Sequence, residues 1–218
     1  IRSQRTGGTS LVFRGVDISN PHGTPVVRNI DIVIQAGECV LVSGDGRAAM
    51  ALFKAASGVW PWGRGLVELP SDGRMLFLPQ RPYLPVESLR QVLTYPEPAA
   101  QYADAELAAA LEWAGLGHLV DRLNDTDTWD QTLSGSDQQR IGFARLMLLR
   151  PSWVFMEEAA DTIEPESRYD LLRQLRDIVP KVTIIAFDHD HGPTGFYTRE
   201  LSLTHTKNNL LRLNEILP

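Results

Sequence analysis

Cys39-Val40-Leu41-Val42-Ser43-Gly44-Asp45-Gly46-Arg47-Ala48-Ala49-Met50-Ala51-Leu52-Phe53-Lys54-Ala55-Ala56-Ser57-Gly58 is the stretch on which the fold turns. The apolar run Cys39 to Val42 predicts a buried strand. Ser43-Gly44-Asp45-Gly46 carries turn chemistry. Ala48 to Ala56, rich in alanine, predicts a helix. A strand, a glycine turn and a helix make a phosphate-binding architecture, because turn N–H groups and a helix N-terminus both face an anion. The full pattern is G-x-x-x-x-G-K-[ST], in which Lys reaches the β/γ-phosphates and the hydroxyl holds Mg²⁺. Aligning Leu52 with the residue that follows this motif puts the Lys position on Ala49 and the hydroxyl position on Met50. The loop is also one residue short.

Composition narrows what the rest of the chain can be. Its 218 residues suffice for one compact domain with a substantial core. Hydrophobic residues make up 43% and charged residues 22%, which excludes a disordered chain. The net charge is −6, and no dense Lys/Arg block marks a nucleic-acid surface. The single cysteine, Cys39, excludes an internal disulfide and a Cys-based zinc site, and reads as a core thiol. No apolar run is long enough to span a bilayer. The polar opening Ile1-Arg2-Ser3, without Met, reads as a domain cut from a longer chain.

Around the central stretch the pattern alternates strands and helices. Ser10–Ile18 and Val26–Ile34 predict two antiparallel strands joined by the turn Asn20–Thr24. Leu66–Leu69 and Met75–Leu78 predict short strands, followed by the proline-broken segment Pro79–Pro85. Val86–Leu93 predicts a short helix, Asp104–Ala114 a longer one capped by Asp104, and Gly115–Leu123 another short one. Asn124–Thr132 reads as loop. Ser134-Gly135-Ser136 opens a helix running from Asp137 to Leu149, which Pro151 stops. Trp153–Met156 and Val182–Phe187 predict buried strands with a helix over Pro165–Val179 between them. Thr198–Thr204 and Asn209–Leu213 are weaker strand patterns.

Four groups of residues carry candidate chemistry. Ser134-Gly135-Ser136 before a helix offers N–H groups and a hydroxyl to an anion, although a simple helix cap explains the same residues. Glu157 and Glu158 follow an apolar strand, where a carboxylate can hold Mg²⁺ or orient a water; two solvated acids are the plain alternative. His189, just past the next strand, is placed to meet a phosphate or a water. The run Asp188-His189-Asp190-His191 is also a weak metal-ligand pattern. Gln80 means little on its own.

Order and spacing together say more. Leu76–Pro85, with Gln80, resembles the Q-loop of ATP-binding cassette (ABC) proteins. Leu133–Arg140 resembles their LSGGQ signature, and Gly142–Arg145 continues it. Trp153–Glu164 is similar to Walker B with its D-loop, and His189 falls at the switch histidine. Trp60-Pro61-Trp62-Gly63 resembles the half-transporter subfamily of bacterial peptide and cobalamin uptake proteins, related to peroxisomal fatty-acyl transporters. The resemblance covers roughly Ser10 to Leu213.

This resemblance implies an α/β fold: a P-loop NTPase core with a parallel sheet, an antiparallel β-subdomain, and a helical subdomain over about 86–150. It implies ATP and Mg²⁺ as cofactors, with the nucleotide met by Gly44, Asp45, Gly46, Arg47, Ala48, Ala49, Met50 and Ala51. Ser134, Gly135, Ser136 and Gln138 would face the nucleotide held by a partner cassette. Glu158, His189 and Gln80 would be catalytic, and Gln80 and Glu157 would attend the metal. Implied partners are a second cassette and a transmembrane domain, with no nucleic acid, at the cytoplasmic face of a membrane. The departures are specific. Ser136 replaces the second signature glycine, Glu157 the Walker B Asp, and Asp161 a small polar D-loop residue, while Glu164 takes the D-loop Asp. His22 is a poor substitute for the adenine-stacking aromatic.

The leading expectation is therefore a nucleotide-binding domain of an ABC transporter. Without the loop Lys and hydroxyl, hydrolysis at its own site is weak or absent. A non-catalytic cassette serving as a dimerisation or regulatory module is the second reading. A soluble cassette of DNA repair or translation is a third, but the coiled-coil insertion, paired cassettes and basic surface it requires are absent from the sequence.

Overall fold

The computed structural model describes residues 1–71, 73–158, 161–189, 195–205 and 211–216. Among them a mixed sheet of ten strands carries the N-terminal and C-terminal parts of the chain. In chain order the elements are β1 (Arg2–Thr6), β2 (Leu11–Ser19), β3 (Pro25–Ile34), β4 (Cys39–Gly44), α1 (Gly46–Ala56), β5 (Gly63–Pro70) and β6 (Met75–Leu78). Then come α2 (Leu89–Thr94), α3 (Asp104–Trp113), α4 (Trp129–Thr132) and α5 (Gly135–Leu149). The chain closes with β7 (Trp153–Glu157), α6 (Pro165–Ile178), β8 (Thr183–Phe187), β9 (Arg199–His205) and β10 (Leu211–Ile216).

The sheet has two characters. Strands β2, β3 and β5 pair antiparallel, with β1 added parallel to β5 at the edge. Strands β9, β4, β8 and β7 run parallel, with β6 beyond β7. Strand β10 joins the halves, antiparallel to β9 and parallel to β3. The difference is visible in burial. Every residue of β8 is buried, as are Cys39–Ser43 of β4, as strands covered on both faces require. Strand β2 instead alternates buried Leu11, Phe13, Val16 and Ile18 with more exposed residues.

The chain divides into two compact units. The first comprises Ile1–Phe77, Ser152–Glu157 and Lys181–Pro218, and holds the sheet and α1. Here Phe53 of α1 meets Phe77 and Phe187 edge-on at 5.7 and 5.6 Å, and Phe77 stacks on Phe155 at 4.4 Å. This aromatic row fixes the helix over the sheet, since such pairs add to plain apolar burial. The second unit, Leu78–Pro151 with Glu158–Pro180, is helical. Helix α5 packs on α2, α3 and α6. Trp129 is fully buried, its indole N–H donating to the Glu87 carbonyl at 2.8 Å under the Arg122 guanidinium.

Several boundaries differ from the sequence reading. Asp104 is not the cap of α3. Ala103 takes that place, and Glu106 accepts the Ala103 N–H at 2.8 Å, so the acid three residues into the helix does the capping. The short helix expected over Gly115–Leu123 is present as a 3₁₀ helix at Gly117–Arg122. Polar Arg2–Thr6 forms a strand because β5 supplies its partner, a tertiary cause that local patterning does not carry. Residues 206–210, including the predicted strand start at Asn209, lie outside the described residues. So do Asp190 and His191 of the candidate ligand run. No helix among the described residues is long and apolar enough to cross a membrane.

Candidate functional site

The candidate residues form two clusters, one in each unit. In the first unit, β4 runs out at Gly44, whose φ is +106°. A Cβ there would lie 2.3 Å from the Leu203 carbonyl oxygen, so only glycine lets β4 turn this close to β9. Asp45 follows and caps α1. Its Oδ1 accepts the Ala48 N–H at 2.9 Å, and its carbonyl accepts the Ala49 N–H at 2.9 Å. The positive end of the helix therefore already holds a carboxylate of its own chain.

The helix register decides the next positions. Ala48 and Ala49 are buried in the core, Ala49 at 8% exposure. Arg47 is exposed. Met50 is 42% exposed, and its sulfur accepts from Lys54 Nζ at 3.4 Å one turn on. The imidazole of His189 lies over the loop, with Nε2 3.5 Å from where a Gly46 Cβ would stand. Its segment is held by the Asp188 N–H, which donates to the Val42 carbonyl at 3.2 Å. Glu157 is half-buried at the end of β7, in register with Phe187. Gly44, Asp45, Gly46 and His189 thus gather at the carboxyl ends of parallel strands, where α/β sheets place ligands.

In the second unit Ser134 caps α5, accepting from the Asp137 N–H at 3.1 Å and donating to Asp137 Oδ2 at 2.8 Å. Gln138 Nε2 donates to the carbonyls of Asp130 and Leu133, both at 3.0 Å, and so braces the turn before the helix. Gly135 and Ser136 occupy the first helical positions, whose N–H groups have no acceptor within the helix.

Gln80 Nε2 donates to Glu158 Oε2 at 3.1 Å and to Asp161 Oδ2 at 2.9 Å. Both acceptors are carboxylates, so the nitrogen end of the Gln80 amide must face them. Glu158 itself has φ +43°, a left-handed conformation rare for a side-chain-bearing residue. Behind this pair lies Gln139, 4% exposed. Its Nε2 donates to Asp161 Oδ1, to the Gln80 carbonyl at 3.2 Å and to the Glu158 carbonyl at 3.4 Å. Its Oε1 accepts from Thr162 N at 3.0 Å and Thr162 Oγ1 at 2.7 Å. A cleft of about 810 Å³ beside this network is lined by Gln80, Arg81, Tyr83, Asp130, Gln138 and Asp161, among others.

The sequence reading missed Gln139 and Thr162 as site residues, and noted Asp161 only as a departure from a small polar residue. The available signal was that departure, since a carboxylate in a tight turn needs donors, and two glutamines lie within reach. Among the described residues no three His, Cys, Asp or Glu side chains converge as a metal site.

No protein-family model matches the chain. Comparison with curated proteins finds an uncharacterized ABC transporter ATP-binding protein of Haemophilus influenzae, 30% identical over 89% of this chain and 33% of the relative. The human lysosomal cobalamin transporter ABCD4 is 30% identical over 89% of this chain and 34% of its own length. The chain belongs to the ATP-binding cassette family. It spans about a third of the length of these relatives. Its fold matches that of a bacterial Atm1-family ABC exporter solved with ATP bound, at a TM-score of 0.76 and 20% identity over 95% of this chain and 38% of that one.

A second cleft, of about 500 Å³, lies in the first unit at the Asn20–Thr24 turn. Trp62, 40% exposed, lines it with Asn20, Pro21 and Arg28. The aromatic ring beside this turn thus comes from the segment before β5.

Proposed function

We propose that this chain is the nucleotide-binding domain of an ABC transporter, one of a pair of cassettes at the cytoplasmic face of a membrane. In this reading its own phosphate loop carries out little or no hydrolysis. Its Ser134–Gln138 turn completes a site whose nucleotide is held by the partner cassette. The family relationship supports the transporter setting, with membrane-embedded portions in the part of the protein beyond this cassette.

The observation that carries the reading is the Asp45 cap. A triphosphate needs free N–H groups and a cation at this helix end. Here the Ala48 N–H is bonded to a carboxylate, and Ala49, at the Lys position, faces the core. Met50 offers a thioether, which is no ligand for Mg²⁺. The loop does not fit a nucleotide triphosphate with its magnesium. Arg47 is exposed and cationic, but it leaves the helix from a position outside the Lys register.

The same observation favours a second reading, in which the cassette binds no nucleotide and serves as a dimerisation or regulatory module. Titration with a non-hydrolysable ATP analogue separates the two. Saturable binding to the paired cassettes, through the Ser134–Gln138 side, supports the first. A well-folded pair that binds none supports the second.

A further inference from the structure

We infer that Asp161 is a positioning residue for the Ser134–Gln138 turn, acting through Gln139. This rests on the reading above only in that the turn faces a partner's nucleotide; the linkage itself stands on geometry within the second unit. Asp161 spans two amides, with Oδ2 accepting from Gln80 and Oδ1 accepting from Gln139. Gln139 lies on the first turns of α5, five residues after the Ser134 cap. It is buried, and both ends of its amide are in use. A buried amide whose partners are all supplied by two other segments cannot shift without leaving several polar groups unpaired.

Asp161 therefore pins three pieces of chain together: the 79–85 segment through Gln80, the start of α5 through Gln139, and its own segment from residue 161 onward. The Thr162 N–H and hydroxyl close the circuit on Gln139 Oε1. Gly135 adjoins the same segment, since a Cβ there would meet Thr162 Cγ2 at 3.8 Å. A serine at position 161 is too short to reach both amides. It would leave Gln139 Nε2 with weaker carbonyl partners only, and would free the Gln80 amide to rotate off Glu158. With Asp161 in place, Gly135 and Ser136 are held in one arrangement with no nucleotide needed to order them.

The test uses the full-length protein with its partner cassette. Hydrogen exchange is followed at the amides of residues 79–84 and 136–140 in the wild type, Asp161→Ser, Gln139→Met and the double variant. In Asp161→Ser, exchange accelerates several-fold in both segments together. Gln139→Met reproduces the change at 136–140, and the double variant adds nothing there. Unchanged exchange, or additive effects of the two substitutions, overturns the inference. Asp161→Asn keeps one acceptor and is expected to be intermediate, so it serves if the serine variant fails to fold; an Asn variant indistinguishable from wild type also overturns the inference.

ATP turnover by the same assembly provides the second readout. It falls several-fold in Asp161→Ser while the protein remains paired, and unchanged turnover alongside faster exchange contradicts the positioning role. An assembly without any ATP turnover, in which exchange still responds as described, sinks the proposed function and leaves the linkage standing.

Discussion

Asp45 Oδ1 lies 2.9 Å from the backbone nitrogen of Ala48 and accepts its hydrogen bond. This contact does two jobs that substitution can separate: it caps a helix, and it places a negative charge where a phosphate would arrive. Asp45→Asn keeps a good cap and removes the charge, so stability should change by only a few tenths of a kcal/mol, whereas Asp45→Ala should lose about 1 kcal/mol. Both should raise the affinity of the loop for a nucleotide triphosphate, by about fivefold if the charge effect at a helix end is worth about 1 kcal/mol. Denaturant melts and nucleotide titrations of the three proteins check this. A weaker affinity in Asp45→Asn would show that the carboxylate assists the nucleotide.

Placing a lysine at position 49 should not by itself create a working phosphate loop. The Ala49 side chain faces the core, so Ala49→Lys buries an ammonium with no partner and should cost about 2 kcal/mol or more. Nucleotide affinity should not improve, because the shortened loop sets the register of α1. Thermal unfolding and the same titration give the answer.

Gly44 and Gly58 form an internal comparison. Both have positive φ, +106° and +79°. An added Cβ at Gly58 meets nothing within 4 Å, whereas at Gly44 it falls 2.3 Å from the Leu203 carbonyl oxygen. Gly58→Ala should cost about 1 kcal/mol for the backbone conformation alone. Gly44→Ala should cost well above that, roughly 3 kcal/mol or more, because β4 and β9 must separate. Equal losses in urea unfolding would mean the strands yield freely at this point.

Arg145, 6% exposed in α5, donates to the Val92 carbonyl through Nε and Nη2 at 3.0 and 2.8 Å, and to the Tyr83 carbonyl at 2.8 Å. Burial pulls its pKa down to about 10, so the group is still charged at neutral pH. The folded pKa lies below the unfolded one, so the fold disfavours the charged form. That penalty is constant below pH 10 and is relieved only as pH rises through about 10 towards the unfolded value. Arg145→Met should destabilise by roughly 2 kcal/mol, since the carbonyls lose their donor. The difference from wild type should be the same at pH 6 and pH 9. A pH-dependent difference in that interval would assign the bonds to some other titrating group.

Much of the fold was legible because long apolar runs admit few readings. Val182–Phe187 and Cys39–Val42 read as buried strands, and the order of turns and helices around them resembles the cassette arrangement. Edge and connecting pieces were less legible. Strand β1 exists because β5 lies beside it, and the 3₁₀ helix at Gly117–Arg122 has the composition of a short α-helix.

At the candidate site residue types were easier to read than contacts. That Ala49 and Met50 stand where the phosphate-loop pattern has Lys and a hydroxyl is a reading of the sequence alone. That Asp45 caps the helix was not legible there, because an Asp in a glycine turn is equally at home solvated. Gln139 was the harder residue. Its role comes from burial beneath Gln80 and Glu158, and those partners lie 59 and 19 residues away in the chain. No local pattern carries such information.

The proposed function holds that this cassette hydrolyses little or no nucleotide at its own phosphate loop. The most direct test is Mg-ATP turnover by the purified chain, alongside Glu158→Gln. Turnover at background is expected in both proteins, with no difference between them. Turnover at about 1 s⁻¹ or faster, an ordinary enzymatic rate, that disappears in Glu158→Gln would contradict the proposed function.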